Sequence, residues 1–517
     1  MTMRIGLSDN RPSAAGLLAL LLALVLSAAM GGCSAPVDTA GNNLRVVVAS
    51  DPGSLNPWRY SSVVDRHVLF NVYDHITSID LKDFSVKPEL AESWETTPDG
   101  LSMTLRIRPG VRFHSGREMT SADVAASIEQ ARMKEASRTA AFLSAVSAVS
   151  TPDPLTVRLT LARPDRILPV TLADVLVAPQ GFTDFNNPDG TGPFMFGEWQ
   201  HGRQLTLRRN PAYWRQGQPK LDQVTFQVVS DQSTALMQLQ AGQADMVDTI
   251  SFSQLGQARR AGLQVVYPQR GENTGIYTIF LNTEKAPFND QRVRQALSLA
   301  IDREQIGSFL TGVFTPESNP IPRNSPAFDP TAPSYDRPDI DRARELLAEA
   351  GYRGGVDAGE LVVYSNLGID FIMAAQAVQQ QAARAGLRLR IKQADISSWS
   401  TQVISKHDFT AALGAVVPLP TDYDRFAAVY AKANGRISML QNRDQAFFDE
   451  VDRARAQPTE ESYNQALKDL QQRAQNLQHV VVLGRRTIPV GTTNQVQGFI
   501  ASPQQYLQLR EVSVTRA

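Results

Sequence analysis

The sequence predicts a mixed α/β protein. Stretches with apolar residues at every second position, typical of half-buried strands, alternate with stretches whose apolar residues recur at helical spacing. The length of 517 residues and the hydrophobic fraction of 42% allow several domains with large cores. The 51 basic residues do not outnumber the 52 acidic ones, so we expect no nucleic-acid partner.

The N-terminal 32 residues have the organisation of an export signal. Arg4 and Arg11 precede an apolar stretch at 17–26, which is shorter than the about 20 residues of a membrane span. Small residues then lead to Cys33, the single cysteine, and the junction MGGC resembles a bacterial lipobox with Met30 in place of leucine. We expect lipid (palmitate-type) acylation of Cys33 and anchoring to the outer face of the cell membrane through a tether at 33–44. A plain signal peptide and an N-terminal anchor helix are the alternatives.

Strands are predicted where apolar and polar residues alternate. Such stretches cover residues 101–107, 155–161, 205–207 and 224–228. Each has one apolar and one polar face, so each is expected to cover a core on one side only.

Helices are predicted where a capping residue precedes an apolar face. The capping residues are Thr120 with Asp123, Asn289 or Asp290, and Asp339. Further along, residues 361–364, 369–385 and 387–391 are typical of a strand–helix–strand unit.

Two stretches are candidate boundaries. Residues 184–193 concentrate turn formers, and residues 316–338 are rich in proline. We expect the second stretch to cross the surface of a domain, held by Ile321, Phe328 and Tyr335. A disordered linker is the alternative.

Catalytic motifs are scarce. The sequence has no G-x-S-x-G elbow, Walker loop, H-E-x-x-H motif or G-x-G-x-x-G after a strand, and its six histidines are scattered. This absence lowers the expectation of an enzyme but does not exclude a Ser or Asp nucleophile, because the residues of a triad need not be close in sequence. Our expectation is no enzyme, no metal site and no cofactor.

Several blocks in order resemble the family 5 extracytoplasmic solute-binding proteins of ABC transporters, the dipeptide-, oligopeptide- and nickel-binding type. The first block is LAESWETTPDGLSMTLRIRPGVRFHSG at 90–116. The others lie at 190–200, 208–248, 288–306 and 343–352. We interpret Tyr213 and Trp214 of the N-P-x-Y-W block as a packed aromatic corner rather than a ligand platform.

The resemblance implies an α/β, two-lobed periplasmic-binding-protein-like fold with a hinge between the lobes and an extra domain inserted in the first. The implied parts are lobe I at 45–75, 190–280 and 490–517, the inserted small domain at 76–189, and lobe II at 281–489.

The resemblance also implies ligand-binding residues in the second lobe. The segment TDYDRF at 421–426 is similar to the one whose acidic residue holds a peptide's amino group in relatives, which makes Asp422 and then Asp424 the candidates. Capping of a turn is the alternative role. Trp399 is an aromatic candidate whose alternative is a core position, and nickel is disfavoured because His407 is far from Asp422.

The first lobe is expected to line the cleft through the segment after Ser54–Pro57. Its candidates are Trp58, Tyr60, Ser61 and Ser62.

The resulting hypothesis is a monomeric, lipid-anchored substrate-binding subunit of an ABC importer. It captures peptides or peptide-like solutes by lobe closure and delivers them to a permease driven by its ATPases. The alternatives are an envelope lipoprotein without a transport role and an extracytoplasmic hydrolase.

Overall fold

The computed structural model describes residues 42–60, 62–82, 85–133, 139–140, 142–268, 275–364, 369–416, 426 and 444–516. Its strands are β1 Asn43–Val48, β2 Thr77–Ile79, β3 Val86–Pro88, β4 Ala91–Thr96, β5 Ser102–Ile107, β6 Val146–Asp153, β7 Thr156–Leu161, β8 Phe194–Gln200, β9 Gln204–Arg209, β10 Gln223–Val228, β11 Met246–Val247, β12 Gln264–Val266, β13 Gly275–Leu281, β14 Phe314–Pro316, β15 Val356–Tyr364, β16 Leu387–Ala394, β17 Ala411–Val416, β18 Val480–Arg486, β19 Val490–Thr492, β20 Val496–Gln497 and β21 Ser513–Val514.

Helices alternate with these strands. They are α1 Val63–Val72, α2 Ser121–Arg132, α3 Leu168–Thr171, α4 Gln232–Gln240, α5 Leu255–Arg260, α6 Gln291–Ala300, α7 Arg303–Phe309, α8 Ile340–Glu349, α9 Ile369–Ala385, α10 Ile396–Ser400, α11 Gln445–Arg455 and α12 Glu460–Leu477. Short 3₁₀ turns lie at Leu172–Asp174 and Phe252–Gln254, and a π turn lies at Thr401–Ser405. Within these described ranges, no helix is both long and apolar enough to cross a bilayer.

Three main sheets organise the chain. The first has seven strands in the order β12-β19-β11-β1-β10-β9-β8. The second has six in the order β14-β18-β13-β17-β15-β16, and a smaller antiparallel sheet has the order β4-β5-β7-β6. One buried apolar cluster joins the first and small sheets with α1, whereas another surrounds the second sheet with α6, α9 and α12.

The local predictions from the sequence are confirmed. Strands β5, β7, β9 and β10 lie where alternation places them, and β15 pairs in parallel with β16 on either side of α9. The carboxylates of Asp290 and Asp339 accept the backbone N–H groups of Arg292 and Arg342 at 2.8 and 2.9 Å, respectively. These aspartates therefore cap α6 and α8.

The proline-rich segment 316–338 packs on the second sheet, as expected for a surface-crossing segment. Ile321 and Tyr335 are buried. The guanidinium of Arg485, in β18, donates to the backbone carbonyls of Asn319 and Pro320 at 3.0 and 2.9 Å. Side-chain burial and these bonds hold the segment without regular secondary structure.

The aromatic corner predicted from the N-P-x-Y-W block is also confirmed. The hydroxyl of Tyr213 and the indole N–H of Trp214 donate to the carboxylate of Asp74 at 3.0 and 2.8 Å. Burial, reinforced by the nearby carboxylate of Glu89, raises the pKa of Asp74 to about 7. The corner is a buried polar network and exposes no platform for a ligand.

Candidate functional site

The connection from β18 to β19 carries the chain from the second sheet to the first. Strand β18 ends at Arg486, and β19 begins only at Val490. The chain makes the opposite passage between β12, in the first sheet, and β13, in the second. The region beside residues 487–489 is therefore a junction between the two sheets.

A cleft of about 120 Å³ lies at this junction. Its lining residues come from the part of the chain around the first sheet, from the part around the second sheet, and from residues 487–489 between them. The lining residues are Gln232, Thr249, Ile250, Ser251, Phe252 and Ser253 on the first side, Val313, Asp370 and Arg486 on the second, and Thr487, Ile488 and Pro489 between them. A cleft lined by segments from the sides of both sheets is a natural place for a ligand to bridge them.

Arg486 and Asp370 form the charged part of the cleft. The Arg486 side chain is 20% exposed and that of Asp370 is 8% exposed. The guanidinium Nε lies 3.2 Å from the Tyr277 hydroxyl and 3.4 Å from Asp370 Oδ2, and the hydroxyl in turn donates to Asp370. The guanidinium also lies over the rings of Tyr277 and Phe371, at 5.8 and 5.3 Å from their centroids. These contacts fix the orientation of a partly desolvated cation.

The surroundings of Arg486 and Tyr277 keep both side chains in a defined protonation state. Burial alone lowers the pKa of Arg486, but Tyr277 and Asp370 outweigh it, so the pKa lies above its ordinary value. Burial raises the pKa of Tyr277 well above its usual range. At neutral pH, Arg486 therefore presents a guanidinium cation to the cleft, and the buried Tyr277 behind it is a neutral phenol that donates to Asp370.

The predicted first-lobe residues have structural contacts. Trp58 is 6% exposed, and its ring packs edge-on against Phe185 at 6.1 Å between centroids. The Tyr60 hydroxyl donates to the Asp174 carbonyl at 3.2 Å. Ser62 caps α1, because its Oγ accepts the N–H of Asp65 at 3.0 Å.

Trp399 is in the core of the second sheet. It is 1% exposed, lies at 4.5 Å from Tyr364 between ring centroids, and contacts Phe280 edge-on. None of Trp58, Tyr60, Ser62 and Trp399 lines the cleft beside residues 487–489.

The other predicted residues are Ser61, Asp422, Asp424 and the lipidation residue Cys33, and all four lie outside the described residues. In the part of the chain that is described, no three His, Cys, Asp or Glu side chains are grouped so that they can hold a metal ion.

Sequence reasoning did not identify Arg486. The available signal is the Arg485–Arg486 pair at the end of the apolar run VVVLG. Alternation along a strand directs two consecutive side chains to opposite faces, so one of the pair is expected to leave the core.

The fold and its inter-sheet cleft define a two-lobed periplasmic binding protein. The same fold occurs in the oligopeptide-binding protein AppA from Bacillus subtilis, solved in complex with a nonapeptide, with a TM-score of 0.76, 22% identity, and coverage of 92% of this chain and 99% of AppA. It also occurs in NikA from Brucella suis, in complex with Fe(III)-EDTA, with a TM-score of 0.80, 22% identity, and coverage of 92% and 100%, respectively.

Residues 85–436 match the profile of the family described as "Bacterial extracellular solute-binding proteins, family 5 Middle". The chain belongs to this family of extracytoplasmic solute-binding proteins. It is 29% identical over 380 residues to the glutathione-binding protein GsiB of Salmonella paratyphi A (strain ATCC 9150 / SARB42), a match that covers 71% of this chain and 72% of GsiB. The family is one of binding proteins, in agreement with the expectation of no enzyme.

Proposed function

We propose that this protein is the lipid-anchored substrate-binding subunit of an ABC importer for peptides or peptide-like solutes. The observation that carries the proposal is the cleft beside residues 487–489, which is lined by segments from the sides of both sheets and in which Tyr277 orients Arg486. The similarity to GsiB supports a peptide-like ligand, because glutathione is a tripeptide.

The two large sheets correspond to two lobes in this proposal, with residues 76–189 as the inserted small domain. Strand β13, which begins at Gly275, pairs with β17 and β18 of the second sheet, so in this proposal lobe II begins before residue 281. A ligand that contacts both lobes favours a closed arrangement by its differential affinity for that state. The permease then receives the loaded, closed form, and no covalent bond is broken.

The first test identifies the ligand. Native mass spectrometry of the purified full-length protein weighs any small molecule that remains bound through purification, and calorimetry measures binding of glutathione and of trialanine. We expect a peptide-like mass and binding with one ligand per chain. A co-purified sugar, or no binding of either peptide, contradicts the peptide proposal.

We keep Asp422 as the proposed partner of the ligand's amino group, with Asp424 as the second candidate. Asp422→Asn is expected to weaken trialanine binding by about 2–5 kcal/mol, as for a broken buried charge pair. The control is Asp408→Asn, which removes an exposed carboxylate that pairs with Lys285 at 2.8 Å. Equal affinities for the two variants would remove Asp422 from the site.

The lipid anchor has its own test. We expect Cys33→Ser to move the protein from the membrane fraction to the soluble fraction of the cell envelope, because it removes the acylated thiol. Membrane association that survives the substitution would overturn the anchor at Cys33.

A further inference from the structure

The cleft beside residues 487–489 contains hydrogen-bond donors for which the described residues provide no acceptor. Within the described part of the chain, neither terminal nitrogen of Arg486, Nη1 or Nη2, has a hydrogen-bond partner, since only its Nε contacts Tyr277 and Asp370. The hydroxyls of Thr249 and Thr487, which line the same cleft, also make no hydrogen bond with a described residue. Among the described residues, the groups without a partner are therefore one edge of a guanidinium and two hydroxyls that line the same cleft.

Two helices begin at this cleft. Gln232 is the first residue of the nine-residue α4, and Asp370 lies in the first turn of the 17-residue α9. Both residues line the cleft. Both N-termini already carry a carboxylate, since Asp231 caps α4 and Asp370 lies in the first turn of α9, so Arg486 is the positive group of the cleft that an anionic ligand can approach.

The charge balance indicates how much negative charge the site accepts. Asp370 and Arg486 are the two charged side chains among the lining residues, and they compensate each other. A singly charged group adds less uncompensated charge than a doubly charged phosphate does. A carboxylate also matches the planar fork of the guanidinium, with two parallel N–H···O bonds.

We propose that Arg486 binds a carboxylate of the solute through Nη1 and Nη2, so that the protein selects ligands with a free carboxylate over their amides and esters. This inference rests on the proposed function as a peptide-binding subunit and assigns a specificity-determining residue to it. Asp370 and Tyr277 act as positioning residues, because they hold Nε and direct the terminal nitrogens to the ligand.

The test compares acids with their neutral derivatives on the full-length protein. Calorimetry measures trialanine against its C-terminal amide, and glutathione against its glycine ethyl ester. In the wild type, we expect each acid to bind roughly 10- to 100-fold more tightly than its derivative, the range for losing charge-assisted hydrogen bonds. Arg486→Gln is expected to lower acid affinity by a similar factor while leaving derivative affinity within about twofold.

Matched variants separate recognition from folding. Arg390→Gln removes a positive charge from the second sheet at an exposed ion pair with Asp357, and it should keep the full acid preference. Arg486→Lys keeps the charge but loses the fork, and an intermediate preference is expected. Thermal melts check that each variant is folded, and the wild-type ratio of acid to amide affinity requires no variant at all.

The outcomes distinguish the two proposals. If the wild type binds acid and amide equally, or if Arg486→Gln keeps the preference, the role of Arg486 is refuted while peptide binding stands. If the wild type binds none of the four probes, the peptide proposal and this inference both fail.

Discussion

The buried ion pair between Asp165 and Arg455 joins the small-sheet region to the end of α11, 290 positions away in sequence. Arg455 Nε and Nη2 lie 2.8 and 2.5 Å from the two carboxylate oxygens, and Nη2 also donates to the carbonyl of Phe142. The side chain of Arg455 is 7% exposed and that of Asp165 is 0% exposed. The neighbouring Ile167 packs into the apolar cluster around the second sheet. This contact holds two distant parts of the chain together through a desolvated bidentate pair.

We predict that Asp165→Ala lowers the free energy of unfolding by about 3–5 kcal/mol, because it removes the carboxylate that accepts from both Nε and Nη2 of the buried Arg455 guanidinium. The measurement is urea denaturation of wild type and variant, followed by circular dichroism. A double-mutant cycle with Arg455→Ala isolates the pair from other effects of each truncation.

The adjacent residue supplies the control. Arg166 follows Asp165 in the chain and pairs with Glu460, the first residue of α12, but the side chains of Arg166 and Glu460 are 29% and 68% exposed. Arg166→Ala is therefore expected to cost less than about 1 kcal/mol. Equal losses for Asp165→Ala and Arg166→Ala would refute the argument that burial gives the pair its importance.

Three further predictions concern stability. Burial lowers the pKa of His479 to about 3, so below pH 6.5 the unfolded chain binds a proton that the folded chain does not, and the wild type loses about 2 kcal/mol of unfolding free energy between pH 7 and pH 5. His479→Gln should remove this pH-dependent loss, which urea titrations at the two pH values measure. A Cβ on Gly190 would lie 2.0 Å from a backbone carbonyl oxygen of α1, so Gly190→Ala should lower the free energy of unfolding by at least about 1–3 kcal/mol, as measured by thermal melts. The control is Gly354→Ala, which should be nearly neutral because the space around Gly354 is open. Glu317→Gln should cost about 3–5 kcal/mol in urea, because it leaves Arg485 buried without its carboxylate 2.6 Å away. A loss below 1 kcal/mol would contradict this.

The local elements were predictable because their signals lie within a few residues of one another. Asp290 and Asp339 cap helices through their nearest backbone N–H groups, and α9 covers 369–385 as its apolar spacing predicts. Neither signal depends on the rest of the fold. Sequence reasoning is strongest for such short-range features.

The candidate site depends on contacts that are distant in sequence. Arg486 meets Tyr277 across 209 positions, and β18 and β13 shift register between Tyr277 and Thr278. That shift helps to decide which of the two consecutive arginines faces the cleft, and no local pattern encodes it. Burial is equally hard to foresee from residue type, since Trp58 and Tyr60 have side chains suited to a binding site and are only 6% and 3% exposed in this structure.

The two arginines at the end of β18 show how the fold can prepare a recognition group before a ligand arrives. Arg485 is 1% exposed and is fixed by Glu317 and by the carbonyls of Asn319 and Pro320, whereas Arg486 extends into the cleft. The backbone that carries Arg486 is thus held by a buried ion pair one residue away. Because the guanidinium is already oriented by Tyr277, little side-chain freedom remains to be lost on binding. A carboxylate bound at Arg486, as proposed above, would therefore keep most of the free energy of its contact instead of losing it to ordering of the side chain.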